Sequence, residues 1–338
     1  MPTVDPQLRH LSETPDTQWR LDLRDAVSDV DELLQLVGLS RSDIRIDPHN
    51  AFRLRVPRAF VSLMQHGDPE DPLLRQVLPT ASENEGGGLL DPVEDLGAAS
   101  GSGLLQKYHG RALMITTGAC AVHCRYCFRR HFPYSTMALR QQDITDSIAR
   151  LREDPDTDEI ILSGGDPLML DDERLADLLA ALASAENLRY LRLHSRLPLV
   201  LPTRINSKLL QLLASTRFRV TLVIHANHAN ELGPEQEAVL ASLRECGVTL
   251  LNQSVLLRGI NDDTETLAAL SKRLHDCFTL PYYLHLLDPV QGAMHFDVPE
   301  TEARKILTDL QGILPGYLVP KLVREVPNST SKTAISLD

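Results

Sequence analysis

The chain of 338 residues lacks the features of membrane and secreted proteins. It contains no uncharged apolar run of about 18 residues, the length needed for a membrane-spanning helix. Residues 1–19 are polar and interrupted by prolines, without the apolar core of a signal peptide. Five cysteines are too few for a disulfide scaffold of this size. These absences predict a cytoplasmic protein with no membrane partner.

Positive charge is also scarce. The chain has 34 Lys and Arg against 46 Asp and Glu, a net charge of −12. So acidic a chain binds nucleic acid or an anionic membrane surface poorly, and we expect no nucleic-acid partner. Any anionic ligand must therefore be bound by a local group of basic residues. The 43% of hydrophobic and 24% of charged residues are ordinary for a globular protein and exclude a disordered chain.

Apolar periodicity divides the chain into regions. Helical spacing over 20–37 predicts one amphipathic helix, and the acidic, glycine-rich segment 82–103 is typical of a mobile connection. From about residue 110 onward, strand-like and helix-like segments alternate. We therefore predict an N-terminal helical region with its glycine-rich connection at 1–104, a core at 105–315 and a C-terminal segment at 316–338.

Six short β-prone runs in the core are each followed by a helical pattern. The predicted strands are 112–117, 159–163, 189–194, 219–225, 248–255 and 281–287, and the predicted helices are 143–153, 172–185, 207–215, 234–245, 263–276 and 299–311. This alternation predicts an α/β fold with a parallel sheet, either open or closed as a barrel. A last strand at 317–325 is expected at a sheet edge, because Pro320 cannot donate to a ladder. In such folds the loops after the strands carry the chemistry.

The cysteines are concentrated in one of these loops. Cys120, Cys124 and Cys127 have the spacing C-x3-C-x2-C. With His123 or His131 they would form a Cys3His zinc site, which is the structural alternative. Three thiolates without a fourth ligand would instead leave one iron of a [4Fe–4S] cluster open to an exogenous ligand. The motif resembles the signature of radical S-adenosylmethionine (SAM) enzymes, in which the open iron binds SAM and the reduced cluster cleaves it to a 5′-deoxyadenosyl radical.

A second loop supports this resemblance. Gly164, Gly165 and Asp166 follow the predicted strand 159–163, and glycines let the backbone approach a ligand closely. In this position they resemble the Gly-Gly-Glu motif that binds the SAM amino group, with Asp in place of Glu.

Longer segments resemble the lysine 2,3-aminomutase family. These are CRYCFRRHF, SGGDPL, NQSVLLRGIND and YYLHLLDPVQGAMHF, and the resemblance covers roughly residues 105–335. It implies a radical SAM partial (β/α)6 barrel with an N-terminal helical extension and a C-terminal cofactor-binding strand and loop. It also implies a [4Fe–4S] cluster, SAM and pyridoxal 5′-phosphate (PLP), and conversion of L-α-lysine to (R)-β-lysine by migration of the amino group from C2 to C3.

The same resemblance implies roles for further residues. Lys332 matches the lysine that holds PLP, although Asn-Ser-Thr-Ser replaces the usual glycine-rich run before it. Lys107 and Arg111 match basic positions for the PLP phosphate, and Gln253 is a candidate SAM contact. Arg129 matches the arginine for the substrate carboxylate. Asp288 and Glu325 match the acids for the distal ammonium, with Glu325 where Asp is common.

The short C-terminus resembles the bacterial subgroup that acts with elongation factor P. The implied partners are L-lysine, a reductant such as flavodoxin or ferredoxin, and functionally elongation factor P with its lysyl ligase. No zinc is expected. Two alternatives remain open: a radical SAM aminomutase for another amino acid or a protein lysine, and a non-catalytic Cys3His zinc protein.

Overall fold

The computed structural model describes residues 17–46, 52–95, 103–133, 141–327 and 329–336. Its centre is a nine-stranded sheet in sequential order. The strands are β1 Leu104–Tyr108, β2 Arg111–Thr117, β3 Glu159–Gly164, β4 Tyr190–His194, β5 Arg219–Ile224, β6 Thr249–Val255, β7 Leu280–His285, β8 Lys321–Arg324 and β9 Thr333–Ala334.

Strands β2 to β8 are all parallel, whereas β1 and β9 add antiparallel strands at the two ends. Because β1 and β9 do not pair with each other in the described residues, the sheet is not closed. Six strand–helix units run from β2 to the helix after β7. The predicted α/β fold with a partial (β/α)6 barrel is confirmed.

The helices that follow the strands agree with the predicted ones to within about two residues at most boundaries. The described helices are α1 Gln18–Arg24, α2 Val30–Leu36, α3 Arg58–Val61, α4 Pro72–Arg75, α5 Gln141–Glu153, α6 Asp172–Ala183, α7 Leu197–Val200, α8 Ser207–Ser215, α9 Pro234–Glu245, α10 Thr264–Asp276 and α11 Glu300–Ile313. Short polar side chains begin several of them: Asp171, Asn206 and Asp263 accept backbone N–H bonds at the starts of α6, α8 and α10. In the described residues, no helix is long and apolar enough to cross a membrane.

The N-terminal region differs from its prediction. The single helix expected over 20–37 is two helices, α1 and α2, because Val27 between them forms a β-bridge with Val56. Asp29 then starts α2 by accepting the Glu32 N–H at 2.9 Å. Apolar spacing continues across the break, so periodicity alone does not reveal it.

The glycine-rich connection forms hydrogen bonds with the barrel. Leu89 N donates to Pro289 O at 2.7 Å and Leu89 O accepts from Gln291 N at 3.0 Å, so this segment lies against the loop after β7. Glu83 and Asp95 are buried. Residues 82–95 of the connection predicted over 82–103 therefore contact the barrel, and residues 96–102 lie outside the described residues.

Two strand predictions need correction. Lys107 and Arg111 were expected before the first strand, but Lys107 lies in β1 and Arg111 begins β2. The strand expected at the edge over 317–325 is β8, which has β7 on one side and β9 on the other. Pro320 precedes β8 and so removes no hydrogen bond from its ladder.

One apolar core joins the N-terminal region to the barrel. Trp19, Phe60 and Leu73 are buried in the same cluster as Leu162 of β3 and Leu193 of β4. The N-terminal helices thus support the barrel near the loop that carries the cysteines.

Candidate active site

A cavity of about 460 Å³ lies at the carboxyl ends of the parallel strands. The family resemblance assigned a role in the site to thirteen residues, and twelve of them line this cavity. The side chain of the other, Lys107, lies outside the described residues. The twelve are Arg111, Cys120, Cys124, Cys127, Arg129, Gly164, Gly165, Asp166, Gln253, Asp288, Glu325 and Lys332. The fold therefore brings together residues that are more than 200 positions apart in the chain.

The cysteine loop follows β2, and backbone hydrogen bonds connect it to the N-terminal region. His123 N donates to Arg55 O at 2.9 Å, and Arg125 N donates to Gln76 O at 2.8 Å. The three thiols line the cavity and are partly buried. Burial raises the pKa of Cys127 to about 11 and also raises that of Cys120. A positively charged metal centre would offset this cost, since it binds the thiolate form.

The three thiols of the loop can supply three ligands to an iron–sulfur cluster. In the described residues, no group of three or more His, Cys, Asp or Glu side chains is arranged around a single metal ion. His123 Nδ1 lies 2.8 Å from Arg53 O, and His131 Nε2 lies 3.0 Å from Gln291 O. Each bond involves one ring nitrogen only, so these contacts do not distinguish a zinc site from a cluster site. A cluster does not require the three sulfurs to meet at one ion, because each can bind a different iron.

The glycine loop after β3 packs directly on the cysteine loop. Gly165 N donates to Thr117 O at 2.7 Å, and Asp166 N donates to Ala119 O at 2.9 Å. A Cβ at position 165 would lie 2.3 Å from Ala119 O, so only glycine fits there. At Gly164 the φ of +128° also requires glycine. These two glycines therefore let the glycine loop pack closely on the cysteine loop.

Asp166 holds the next loop as well. Its carboxylate accepts hydrogen bonds from Ser195 Oγ at 2.8 Å and from Arg196 N at 2.8 Å. Burial raises its pKa to about 6 in spite of these bonds. Asp166 thereby connects the loops after β3 and β4 beside the cysteines.

Arg129 has a carboxylate partner that the sequence did not reveal. Its Nε donates to Asp95 Oδ2 at 2.7 Å, and its Nη1 donates to Ser163 Oγ at 3.2 Å. Both members of the ion pair are buried, and both line the cavity. Asp95 therefore orients Arg129, although it lies in a segment that composition assigns to a loop.

A second buried carboxylate stabilises the cysteine loop. Glu83 accepts from Arg125 Nε at 2.6 Å and from Arg130 Nη2 at 2.7 Å. Both guanidinium groups also lie over the ring of Phe52, at 4.7 and 4.6 Å from its centroid. Arg125 and Arg130 are thus structural residues that hold the loop.

Lys332 lies at the other side of the cavity. It immediately precedes β9, while Glu325 immediately follows β8, and the antiparallel pairing of these strands brings them together. Lys332 Nζ lies 2.7 Å from Glu325 Oε2 and 5.9 Å from the centroid of the Tyr283 ring. Tyr108 on β1 also donates its hydroxyl to Glu325. Burial, and then this carboxylate, raises the pKa of Tyr108.

Two observations indicate where an anionic ligand with polar groups would bind. Arg111 lies over the Tyr108 ring at 4.7 Å, and its buried Nε has no hydrogen-bond partner among the described residues. The buried Nε2 atoms of His194 and His285 likewise have none in the described part of the chain. Buried polar atoms normally have partners, so these three atoms are available for contacts with a bound ligand.

Sequence analysis assigned no site role to His194, His225 or His285, which all line the cavity. His225 Nε2 lies 3.0 Å from Gln253 Nε2, which places the predicted SAM contact against a histidine. Burial lowers the pKa of His225 to about 3, and it lowers the pKa values of His194 and His285 well below their usual range. All three are neutral at physiological pH.

Three cysteines in a C-x3-C-x2-C loop, at the carboxyl ends of a partial (β/α)6 barrel, define a radical SAM enzyme. Residues 114–270 match the model of the Radical SAM superfamily. The chain is also 47% identical over 324 residues to L-lysine 2,3-aminomutase of Escherichia coli, covering 94% of each chain. It is 42% identical over 319 residues to the Haemophilus influenzae protein of that name, covering 93% of this chain and 94% of the relative.

A more distant relative gives the same result. L-lysine 2,3-aminomutase of Clostridium subterminale is 32% identical over 332 residues, which are 97% of this chain and 80% of the relative. The chain belongs to the L-lysine 2,3-aminomutase family and is an isomerase.

Proposed function

We propose that this enzyme converts L-α-lysine to (R)-β-lysine, with a [4Fe–4S] cluster, SAM and PLP as cofactors. The observation that carries the proposal is that Lys332 and all three cysteines line the same cavity. A radical generated at the cysteines and an amino acid held at Lys332 would therefore meet in one enclosed space. The identity to relatives named L-lysine 2,3-aminomutase supports lysine as the substrate.

The cavity is lined by residues of both charges. Arg111 and Arg129 are basic, and Asp288 and Glu325 are acidic. Arg129 binds the substrate carboxylate, and Asp288 with Glu325 binds the distal ammonium. Arg111 and Lys107 bind the PLP phosphate. The two acids select an amino acid with a second positive charge, as lysine has.

The reaction moves the amino group from C2 to C3 and one hydrogen from C3 to C2, so substrate and product have the same composition. When bound, PLP supplies a conjugated ring that stabilises an unpaired electron, and cluster-bound SAM supplies the hydrogen-abstracting radical. The protein holds these groups in a fixed orientation and excludes water. Gly164, Gly165, Asp166 and Gln253 contact SAM, and Lys332 holds PLP before substrate binds.

The resemblance to the bacterial subgroup that acts with elongation factor P supports a cellular role. We propose that (R)-β-lysine supplies the modification of elongation factor P by its lysyl ligase in the cytoplasm, and that flavodoxin or ferredoxin reduces the cluster.

The test is an anaerobic assay of the reconstituted enzyme with SAM, PLP and dithionite. L-lysine, other amino acids and a lysine-containing peptide are compared by mass spectrometry. The proposal predicts β-lysine from free L-lysine at a rate at least about tenfold above that with the other substrates. Preference for another amino acid or for the peptide would support the alternative mutase. One tightly bound zinc ion, with no cluster absorbance, would support the structural zinc protein.

A further inference from the structure

Arg196 contacts the cysteine loop in a way that the proposed function does not explain. Arg196 follows β4, and its Nη1 donates to Cys124 Sγ at 2.8 Å. Its side chain is only 6% exposed. The guanidinium lies between two rings, 5.2 Å from the centroid of Phe60 and 5.7 Å from that of Tyr126. A cation buried to this extent interacts strongly with a nearby sulfur, because little water screens it.

A buried polar network fixes the direction of this hydrogen bond. Arg196 Nη2 donates to Glu231 Oε2 at 2.8 Å and to Gln76 Oε1 at 2.6 Å. Gln76 Nε2 donates in turn to Glu231 Oε1 at 3.1 Å, and Asn227 Nδ2 donates to Gln76 Oε1 at 3.0 Å. The backbone N of Arg196 is bonded to Asp166. Arg196 is therefore held at its backbone N and at Nη2, and its Nη1 donates to the Cys124 sulfur.

The network contains more hydrogen bonds than are needed to neutralise one buried arginine. Neutralising the charge needs only Glu231, which is fully buried beside it. Gln76 belongs to the N-terminal region, and its carbonyl also accepts the Arg125 N–H of the cysteine loop. One glutamine thus sets the position of both the loop and the arginine that contacts it.

We propose that Arg196 is a positioning residue that sets the reduction potential of the iron–sulfur cluster through its hydrogen bond to the Cys124 sulfur. Hydrogen bonds and positive charge at a cluster sulfur stabilise the reduced state, which carries one more negative charge. Arg196 therefore makes the cluster easier to reduce, while Glu231, Gln76 and Asn227 hold the donor in place. This inference rests on the cluster of the proposed function.

The test is a potentiometric titration with dithionite, followed by electron paramagnetic resonance. Arg196→Gln removes the charge and Arg196→Met removes charge and donors, whereas Arg196→Lys keeps the charge. Arg204→Met is the matched control, since Arg204 is equally buried and paired with Asp172 at 2.8 Å without contacting a cysteine. Iron and sulfide content is measured for each variant.

We expect a more negative midpoint potential in Arg196→Gln and Arg196→Met than in the wild type. For a one-electron step, each tenfold decrease in the equilibrium constant for cluster reduction corresponds to a shift of about 59 mV. Arg196→Lys should give a smaller shift, and Arg204→Met none. If Arg196→Met does not fold, the Gln and Lys variants still provide this comparison.

An unchanged potential in Arg196→Gln with a full cluster would overturn the inference. So would an equal shift in Arg204→Met, because the effect would then be a general consequence of losing a buried arginine. Wild-type protein that assembles no cluster would instead refute the proposed function.

Discussion

Lys332 and Glu325 form an ion pair, with Nζ 2.7 Å from Oε2, although the family resemblance assigns them to different ligands. The pair is partly buried, with side-chain exposures of 25% and 13%. Glu325 is thus already placed to bind an ammonium group. In the proposed function Lys332 carries no ammonium while it holds PLP, which leaves Glu325 available to the ammonium of an incoming L-lysine.

Replacing Glu325 is therefore expected to weaken substrate binding. Glu325→Gln removes one of the two acids proposed for the distal ammonium, and loss of one partner of a buried charged pair costs about 2–5 kcal/mol. We expect the KM for L-lysine to rise at least about tenfold, measured by steady-state kinetics. Glu302→Gln is the control, since Glu302 pairs with Arg258 at 39% exposure. An unchanged KM in Glu325→Gln would exclude this role.

Asp95 is expected to act through Arg129. Asp95→Asn keeps the shape of the side chain but removes the charge that orients the guanidinium. We predict a higher KM for L-lysine in Asp95→Asn and a larger increase in Arg129→Met, because the latter removes the carboxylate contact itself. Binding of cadaverine, which lacks the carboxylate, should change far less in calorimetry. Equal losses for L-lysine and cadaverine would show that Arg129 only supports the fold.

Gly165 is expected to be required for cluster assembly. In Gly165→Ala the new Cβ would lie 2.3 Å from Ala119 O and push the glycine loop away from the cysteine loop. We predict a lower melting temperature and less bound iron after reconstitution. Gly312→Ala is the control, because a Cβ there has open space within helix α11, and alanine stabilises a helix by about 0.5–1 kcal/mol relative to glycine. Full iron content in Gly165→Ala would contradict the prediction.

The buried histidines predict loss of stability in acid. Below pH 6.5 the unfolded chain protonates His194, His225 and His285, whereas in the fold burial lowers their pKa values and keeps them neutral. The unfolded state then binds more protons, so the free energy of unfolding decreases as pH falls. Each histidine contributes about 1.4 kcal/mol per pH unit. Asp166, whose pKa is raised to about 6, acts in the opposite direction but is a single group.

Urea denaturation at pH values from about 6.5 down to about 5 measures this slope. His285→Phe should make it shallower by about 1.4 kcal/mol per pH unit, because the variant has one such histidine fewer. A slope in His285→Phe equal to that of the wild type would contradict the neutral state of His285.

The sequence predicted those features that depend on neighbouring residues. Apolar β-prone runs located six strands, and the cysteine and glycine motifs fell in loops whose place in a parallel sheet follows from chain order. Strand β1 was missed because its five residues include Gln106 and Lys107 and do not form a continuous apolar run. Helix 20–37 was divided by the contact of Val27 with Val56, which only the tertiary fold provides.

The ion pairs of the site could not be predicted for a similar reason. Asp95 and Arg129 are 34 positions apart, and Glu83 and Arg125 are 42 apart. An acidic, glycine-rich segment normally remains in solvent, and nothing local to Glu83 or Asp95 indicates that each meets a buried arginine. Arg196 likewise reaches Cys124 across 72 positions. No sequence pattern near the cysteines indicates that a buried arginine lies next to their loop.

The proposed function requires that Lys332 holds PLP in the cavity lined by the three cysteines. The most direct measurement is borohydride reduction of the PLP-loaded enzyme, followed by mass spectrometry of its peptides, with Lys332→Ala as the matched variant. We predict a pyridoxyl adduct at Lys332, its loss from Lys332→Ala, and its suppression when excess L-lysine is added before reduction. A main adduct on another lysine, or a Lys332→Ala variant that retains the same adduct yield, would contradict the account.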